Sequence, residues 1–176
     1  MNLAKLNIVE LVDYISQSDI EKGYNTKVSF FFEFNSYDMR IFGHWDVLRW
    51  AELHNFSLKI WNLGNHLYYE LQDSKKGNQN YIRNTSYSRV NIMRDSIFSD
   101  SDLQKFDFID LSEKLNQYCK NLEFEHLKFR NVFQIVRKGT FSSGSTILQE
   151  WLKQKGLKFS IIPLPGEPIF QCSIYK

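Results

Sequence analysis

Cysteine, proline and long apolar runs are what this sequence has least of. The two cysteines, Cys119 and Cys172, stand far apart and match no zinc-ligand spacing, so they read as small buried hydrophobes rather than as a disulfide framework or a metal clip. All three prolines fall between 163 and 168, and glycine occurs eight times, which argues against a disordered or low-complexity chain. No apolar run approaches the roughly 20 residues that a membrane span needs. Met1 to Lys5 leads into a segment broken by Asn7, Glu10 and Asp13, not into a signal-peptide apolar region. A membrane partner is therefore not expected, and the cytoplasm is the expected location. An excess of one charge is missing too: 22 basic and 20 acidic side chains leave +2, which speaks neither for nor against a polyanionic partner.

Aromatics are abundant. Fifteen Phe, nine Tyr and four Trp make 16% of 176 residues, within a hydrophobic fraction of 43%. That is enough for one domain, 1–176, with a full core. Most of the phenylalanines belong in it. Trp45, Trp61, Tyr68, Tyr69, Tyr81 and Tyr87 sit where some rings should reach the surface and serve an interface.

Two stretches, 27–72 and 128–173, align without a gap at a constant offset of 101, with six identities in 46 positions: Lys27, Phe32, Gly43, Trp50, Ile60 and Leu63 on Lys128, Phe133, Gly144, Trp151, Ile161 and Leu164. Asn55 falls on Gly156, and both suit the left-handed residue that closes a helix. Asn62 to Asn65 falls on Pro163 to Gly166, turn chemistry between apolar runs. A capping pair precedes each stretch, Asn7 with Glu10 and Asp110 with Glu113. The expected fold is α/β or α+β. It has a mixed, mainly antiparallel sheet with helices on one face. A helix-strand-helix-strand-strand unit recurs as pseudo-repeats 7–72 and 108–175 joined by 73–107. Convergence of two similar units would give the same local pattern.

Within that frame, Val28 to Phe34 reads as a central strand and Trp45 to His54 as a helix. Ser57 to Trp61 and Leu67 to Leu71 form a hairpin about Leu63-Gly64. Ser99 to Phe106 is a short helix capped by Ser99 or Ser101. Val132 to Arg137 is a strand, Phe141 to Thr146 a polar loop, and Thr146 to Lys155 a helix stopped by Gly156. Lys158 to Ile162 and Ile169 to Tyr175 are strands, with prolines at their ends, outside the ladder.

No motif specific for catalysis is present. His44 with Asp46 could make a base and its orienting partner, although Asp46 serves a helix N-terminus more naturally. His66 follows a turn and reads as solvated, and His126 as surface. His44 and His54 are too far apart to share a helical face as metal ligands. Asp107, Asp110, Glu113 and Lys114 resemble a nuclease's carboxylate set, but they fit caps and first turns better. No cofactor and no metal is expected. Ser143, Gly144 and Ser145 open a helix after Arg137 and Lys138, a weak anion-binding arrangement. Lys75, Lys76, Arg83, Arg89 and Arg94 occur with no acidic residue between Ser74 and Arg94, interleaved with Tyr81 and Tyr87. Cations with rings are what single-stranded nucleic acid requires.

The acidic stretch that follows carries Asp95, Asp100, Asp102 and Asp107. The functional expectation is a non-catalytic protein that binds a protein partner, a toxin or other enzyme, and covers its active site, as a bacterial immunity protein does. Enrichment in Asn, Lys, Ile, Phe and Tyr fits an AT-rich gene of the kind common in mobile bacterial loci. Asp95, Asp100, Asp102 and Asp107 would meet a basic cleft, with Tyr81 or Tyr87 as apolar anchor. The alternative is a nucleic-acid-binding protein or nuclease using the basic 75–94 segment.

Overall fold

The computed structural model describes residues 2–35, 43–64, 66–73, 82–84, 96–137 and 143–176. After a short 3-10 turn, Leu3–Lys5, the elements follow in the order α1 (Ile8–Glu21), β1 (Thr26–Asn35), α2 (His44–Leu53), β2 (Phe56–Leu63), β3 (His66–Asp73) and β4 (Ile82–Asn84). Then come α3 (Asp100–Lys105), α4 (Phe108–Asn121), β5 (Lys128–Arg137), α5 (Ser143–Gln154), β6 (Lys158–Pro163) and β7 (Ile169–Tyr175). The fold is α+β. The chain divides into two compact units, residues 31–131 and residues 1–30 with 132–176. These do not coincide with the pseudo-repeats, because each unit takes its elements from both.

In the 31–131 unit the strand order is β4-β2-β3-β1-β5. β1–β3 and β2–β3 pair antiparallel, and β4 adds to β2 in parallel. β1 and β5 also run antiparallel, since ring contacts fall to lower numbers on one strand as they rise on the other: Phe34 with Phe129 here, and Phe30 with Phe133 in the other unit. Phe32 and Phe34 alternate with Phe31 and Glu33, so the two sets point to opposite faces. The first set meets the helices. Phe32 packs against Trp50 of α2 and Phe108 of α4, and Phe34 against His44 of α2. All three central phenylalanines, Phe31, Phe32 and Phe34, are buried, as both faces of a central strand require.

In the unit of 1–30 and 132–176 the order is β1-β5-β7-β6, with β6 and β7 antiparallel. Phe133 packs against Trp151 of α5. Helix α1 turns Leu11 and Ile15 inward, at the spacing that buries one helical face. Its capping box is the expected one: Asn7 accepts from the Val9 and Glu10 amides, and Glu10 accepts from the Asn7 amide.

Several expectations move. α4 is capped one turn earlier than Asp110 and Glu113 implied. Asp107 is the N-cap and Asp110 its reciprocal partner, so Phe108 and Ile109 enter the helix and become buried. α5 starts at Ser143, inside the stretch expected to be loop, because serine tolerates a first turn. Asn55 and Gly156 both have positive φ, 61° and 68°, as helix-closing residues should. The gapless offset holds through β6 and then fails. Leu63 pairs with His66 across a two-residue turn, whereas Leu164 bonds to Ile169 around Pro165 to Pro168. The second turn is two residues longer, so β7 matches β3 at an offset of 103. An even shift keeps every side chain on its face.

Candidate functional site

Helix α2 carries an unusual number of polar side chains that reach away from its own axis. His44, its first residue, is fully buried; its Nδ1 is hydrogen-bonded to the Tyr69 hydroxyl. Asp46 does not orient His44. Its carboxylate accepts from the Ile97 amide at 3.0 Å on both oxygens and from the Phe98 amide at 3.0 Å. Burial pushes the Asp46 carboxyl above its ordinary range, against those amide bonds, which pull it down.

The same helix holds the rest of that segment. Arg49 donates to Asp100 at 2.7 Å and also pairs with Glu52, three residues on. His54 Nε2 lies 3.1 Å from the Leu103 carbonyl, and the Trp50 indole N–H donates to the Phe106 carbonyl at 2.8 Å. Leu103 of α3 is fully buried. An irregular stretch is thus tied down at both ends and in the middle. Its own cap is Ser99, which accepts from the Asp102 amide.

The expected partner-binding aspartates fall on this segment, with different duties. Asp100 and Asp102 occupy the first turn of α3 and are exposed; the Asp100 side chain retains 60% of its surface despite Arg49. Asp107 is exposed as well, but it is committed to capping α4. Asp95, Tyr81 and Tyr87 lie outside the described residues, as do Lys75, Lys76, Arg89 and Arg94. Arg83 lies in β4, where its backbone pairs with Lys59. Ser143, Gly144 and Ser145 form the first turn of α5. Tyr69 and Tyr68, expected near the surface, are buried, the first by its bond to His44 and the second beside Glu33.

A second charged arrangement was missed by the sequence. Glu33 sits within a phenylalanine run and reads there as an interruption of a core strand. It is 3% exposed and shares its carboxylate among three neighbours. Arg130 of β5 donates to Oε2 at 2.5 Å. His66 Nδ1 lies 2.7 Å from Oε1, at ion-pair distance though off the line of a hydrogen bond. The Tyr68 hydroxyl donates to Oε1 at 3.4 Å. His66 is therefore engaged, not merely solvated. Burial, reinforced by the Glu33 charge, pushes the Tyr68 hydroxyl up to about 12, so it remains a donor. The signal was an acidic residue in a strand otherwise solid with Phe, but its partners could be named only once the strand order was known.

Among the described residues, no three His, Cys, Asp or Glu side chains converge as a metal site would require, and no helix is long and apolar enough to cross a membrane. Both cysteines are buried and free. No protein-family model, curated protein or solved structure matches the chain.

Proposed function

We propose that this protein is a non-catalytic binder that acts in the cytoplasm by covering the active site of a partner enzyme, in the manner of a bacterial immunity protein. One observation carries the reading: the acidic α3 segment is held in place by three side chains of α2, Asp46, Arg49 and Trp50, and by its C-cap residue, His54. An exposed acidic turn with no partner to meet has little need of such anchorage. Fixing it in advance lowers the entropy that binding would otherwise cost. Asp100 and Asp102 then face solvent from a rigid base, the arrangement that steers a basic cleft into register. An enzyme acting on RNA or DNA presents such a cleft.

The test is charge reversal. The tagged protein, expressed in its native host, should recover one stoichiometric protein whose enzymatic activity it inhibits. Asp102→Lys should abolish that recovery and that inhibition while leaving thermal stability nearly unchanged, because Asp102 is exposed and its contribution to α3 is a backbone amide. Recovery of nucleic acid in place of a protein, or an Asp102→Lys chain that inhibits as well as the parent, would overturn the proposal.

A further inference from the structure

The repeated strand order offers an internal comparison for the Glu33 cluster. In the other half, the position of Glu33 is held by Gln134, that of Arg130 by Ser29, that of His66 by Ile169 and that of Tyr68 by Gln171. The same backbone pattern is therefore built without a carboxylate, a guanidinium or an imidazole. The fold does not need this cluster. Burying a carboxylate is costly unless it is paired and hydrogen-bonded, so a chain that keeps one where glutamine would serve keeps it for another purpose.

The geometry suggests which. Each Glu33 oxygen restrains one head group: Oε1 the His66 imidazole, Oε2 the Arg130 guanidinium. Both heads remain partly open, with the His66 side chain 39% and the Arg130 side chain 47% exposed. Arg130 uses one N–H on Glu33 and has further donors in a planar fork. Glu33 and Arg130 cancel, so a proton on His66 gives the cluster one net positive charge. Among the described residues of the 31–131 unit, the other charged positions on this sheet face are Lys128 of β5, Glu70 of β3, Lys59 of β2, which stands opposite Glu70, and Arg83 of β4, which pairs with Lys59 in register. Two donors held by one buried acid, on the sheet face opposite Trp50 and Phe108, make a prearranged seat for a negatively charged group.

We propose that His66 and Arg130, positioned by Glu33, form a binding site for a small oxyanion, a phosphate or carboxylate group, on the sheet face of the 31–131 unit opposite Trp50 and Phe108. The site is separate from the acidic segment, which lies on α2. Glu33 acts as a positioning residue and the anion is held by the Arg130 guanidinium and the His66 imidazole.

Inorganic phosphate and acetate are the probes, followed by the side-chain resonances of His66 and Arg130 in the full-length protein. Phosphate should shift both resonances along a saturable curve. A matching curve with acetate would identify a carboxylate as the group recognised; its absence would identify phosphate. Arg130→Lys keeps the charge but loses the fork, and should weaken binding about tenfold with an unchanged amide spectrum. Lys120→Gln, an exposed cation on α4 outside the site, should titrate as the parent does. Linear, unsaturated shifts, or an Arg130→Lys protein that binds as tightly as the parent, would overturn the site and leave the inhibitor reading untouched.

Discussion

Trp50 and Trp151 donate the same hydrogen bond to the same kind of acceptor. The Trp50 indole N–H meets the carbonyl of Phe106, the residue before the N-cap of α4. The Trp151 indole N–H meets the carbonyl of Leu6, the residue before the N-cap of α1, at 3.1 Å. Each tryptophan thus secures the leading helix of the opposite half of the chain. The two leading helices are equally long, Ile8–Glu21 and Phe108–Asn121, and each begins with a capping box. Neither bond is demanded by a local sequence pattern.

Removing one donor should expose that wiring. Trp50→Phe and Trp151→Phe each keep most of the apolar bulk and leave a carbonyl without its donor. Each should lower unfolding free energy by about 1–2 kcal/mol in urea titrations. Trp→Ala at either site should cost about 3–5 kcal/mol, since both rings are buried. A loss confined to one of the two Phe variants would mean that the bonds are not equivalent in energy.

Asp46 should leave a mark on stability against pH. Its carboxyl is raised in the folded protein above the usual 3.8 because burial opposes ionisation. A raised acid favours the folded state while protonated. Its contribution is therefore complete below the unfolded value and is lost as pH climbs through the raised folded one. In Asp46→Asn the remaining oxygen can still accept from Ile97 and Phe98, but nothing titrates. Denaturant titrations from pH 3 upward should show a stability curve whose decline across that window is shallower than in the parent. Superimposable slopes would rule the assignment out.

The acidic residues should separate by task. Asp107→Ala removes the N-cap arm of the capping box, the acceptor of the Ile109 and Asp110 amides, and should cost about 1 kcal/mol, with a range of about 0.5–2. Asp102→Ala should change stability by less than about 0.5 kcal/mol, the usual size for an exposed substitution. Equal losses would mean that both aspartates serve the fold, and would remove the reason to look for a partner at α3.

The pattern of what could be read is physical. Asn7 with Glu10, Asn55, Gly156, the Leu63-Gly64 turn and Ser99 are short-range signals, and each fixes a boundary within a few residues of itself. Strand β1 was legible from its phenylalanines for the same reason. Asp110 with Glu113 misled because Asp107 with Asp110 offers the same chemistry one turn earlier, and burial of Phe108 decides between them. The partners of Asp46 and Glu33, Ile97 and Arg130, carry no local sign. They are brought together by helix docking and by strand register, and an isolated carboxylate looks the same in sequence whether it ties down a distant loop or faces water. The longer second turn, Pro165 to Pro168, was hidden because a shift of two residues leaves the hydrophobic alternation intact.

The unit formed by 1–30 and 132–176 joins two segments that the whole of the 31–131 unit separates in sequence. During synthesis, α1 emerges long before α5, yet the indole that secures the carbonyl of Leu6 belongs to Trp151. Until α5 has left the ribosome, α1, with Leu11 and Ile15 on its apolar face, lacks the helix it packs against. The earlier helix must therefore wait for the later one, while the 31–131 unit, continuous in sequence, can complete itself first. Such long-range closure makes for slow folding. It also leaves nascent chains that end before residue 143 with an amphipathic helix exposed, the state in which chaperone capture or aggregation competes with folding.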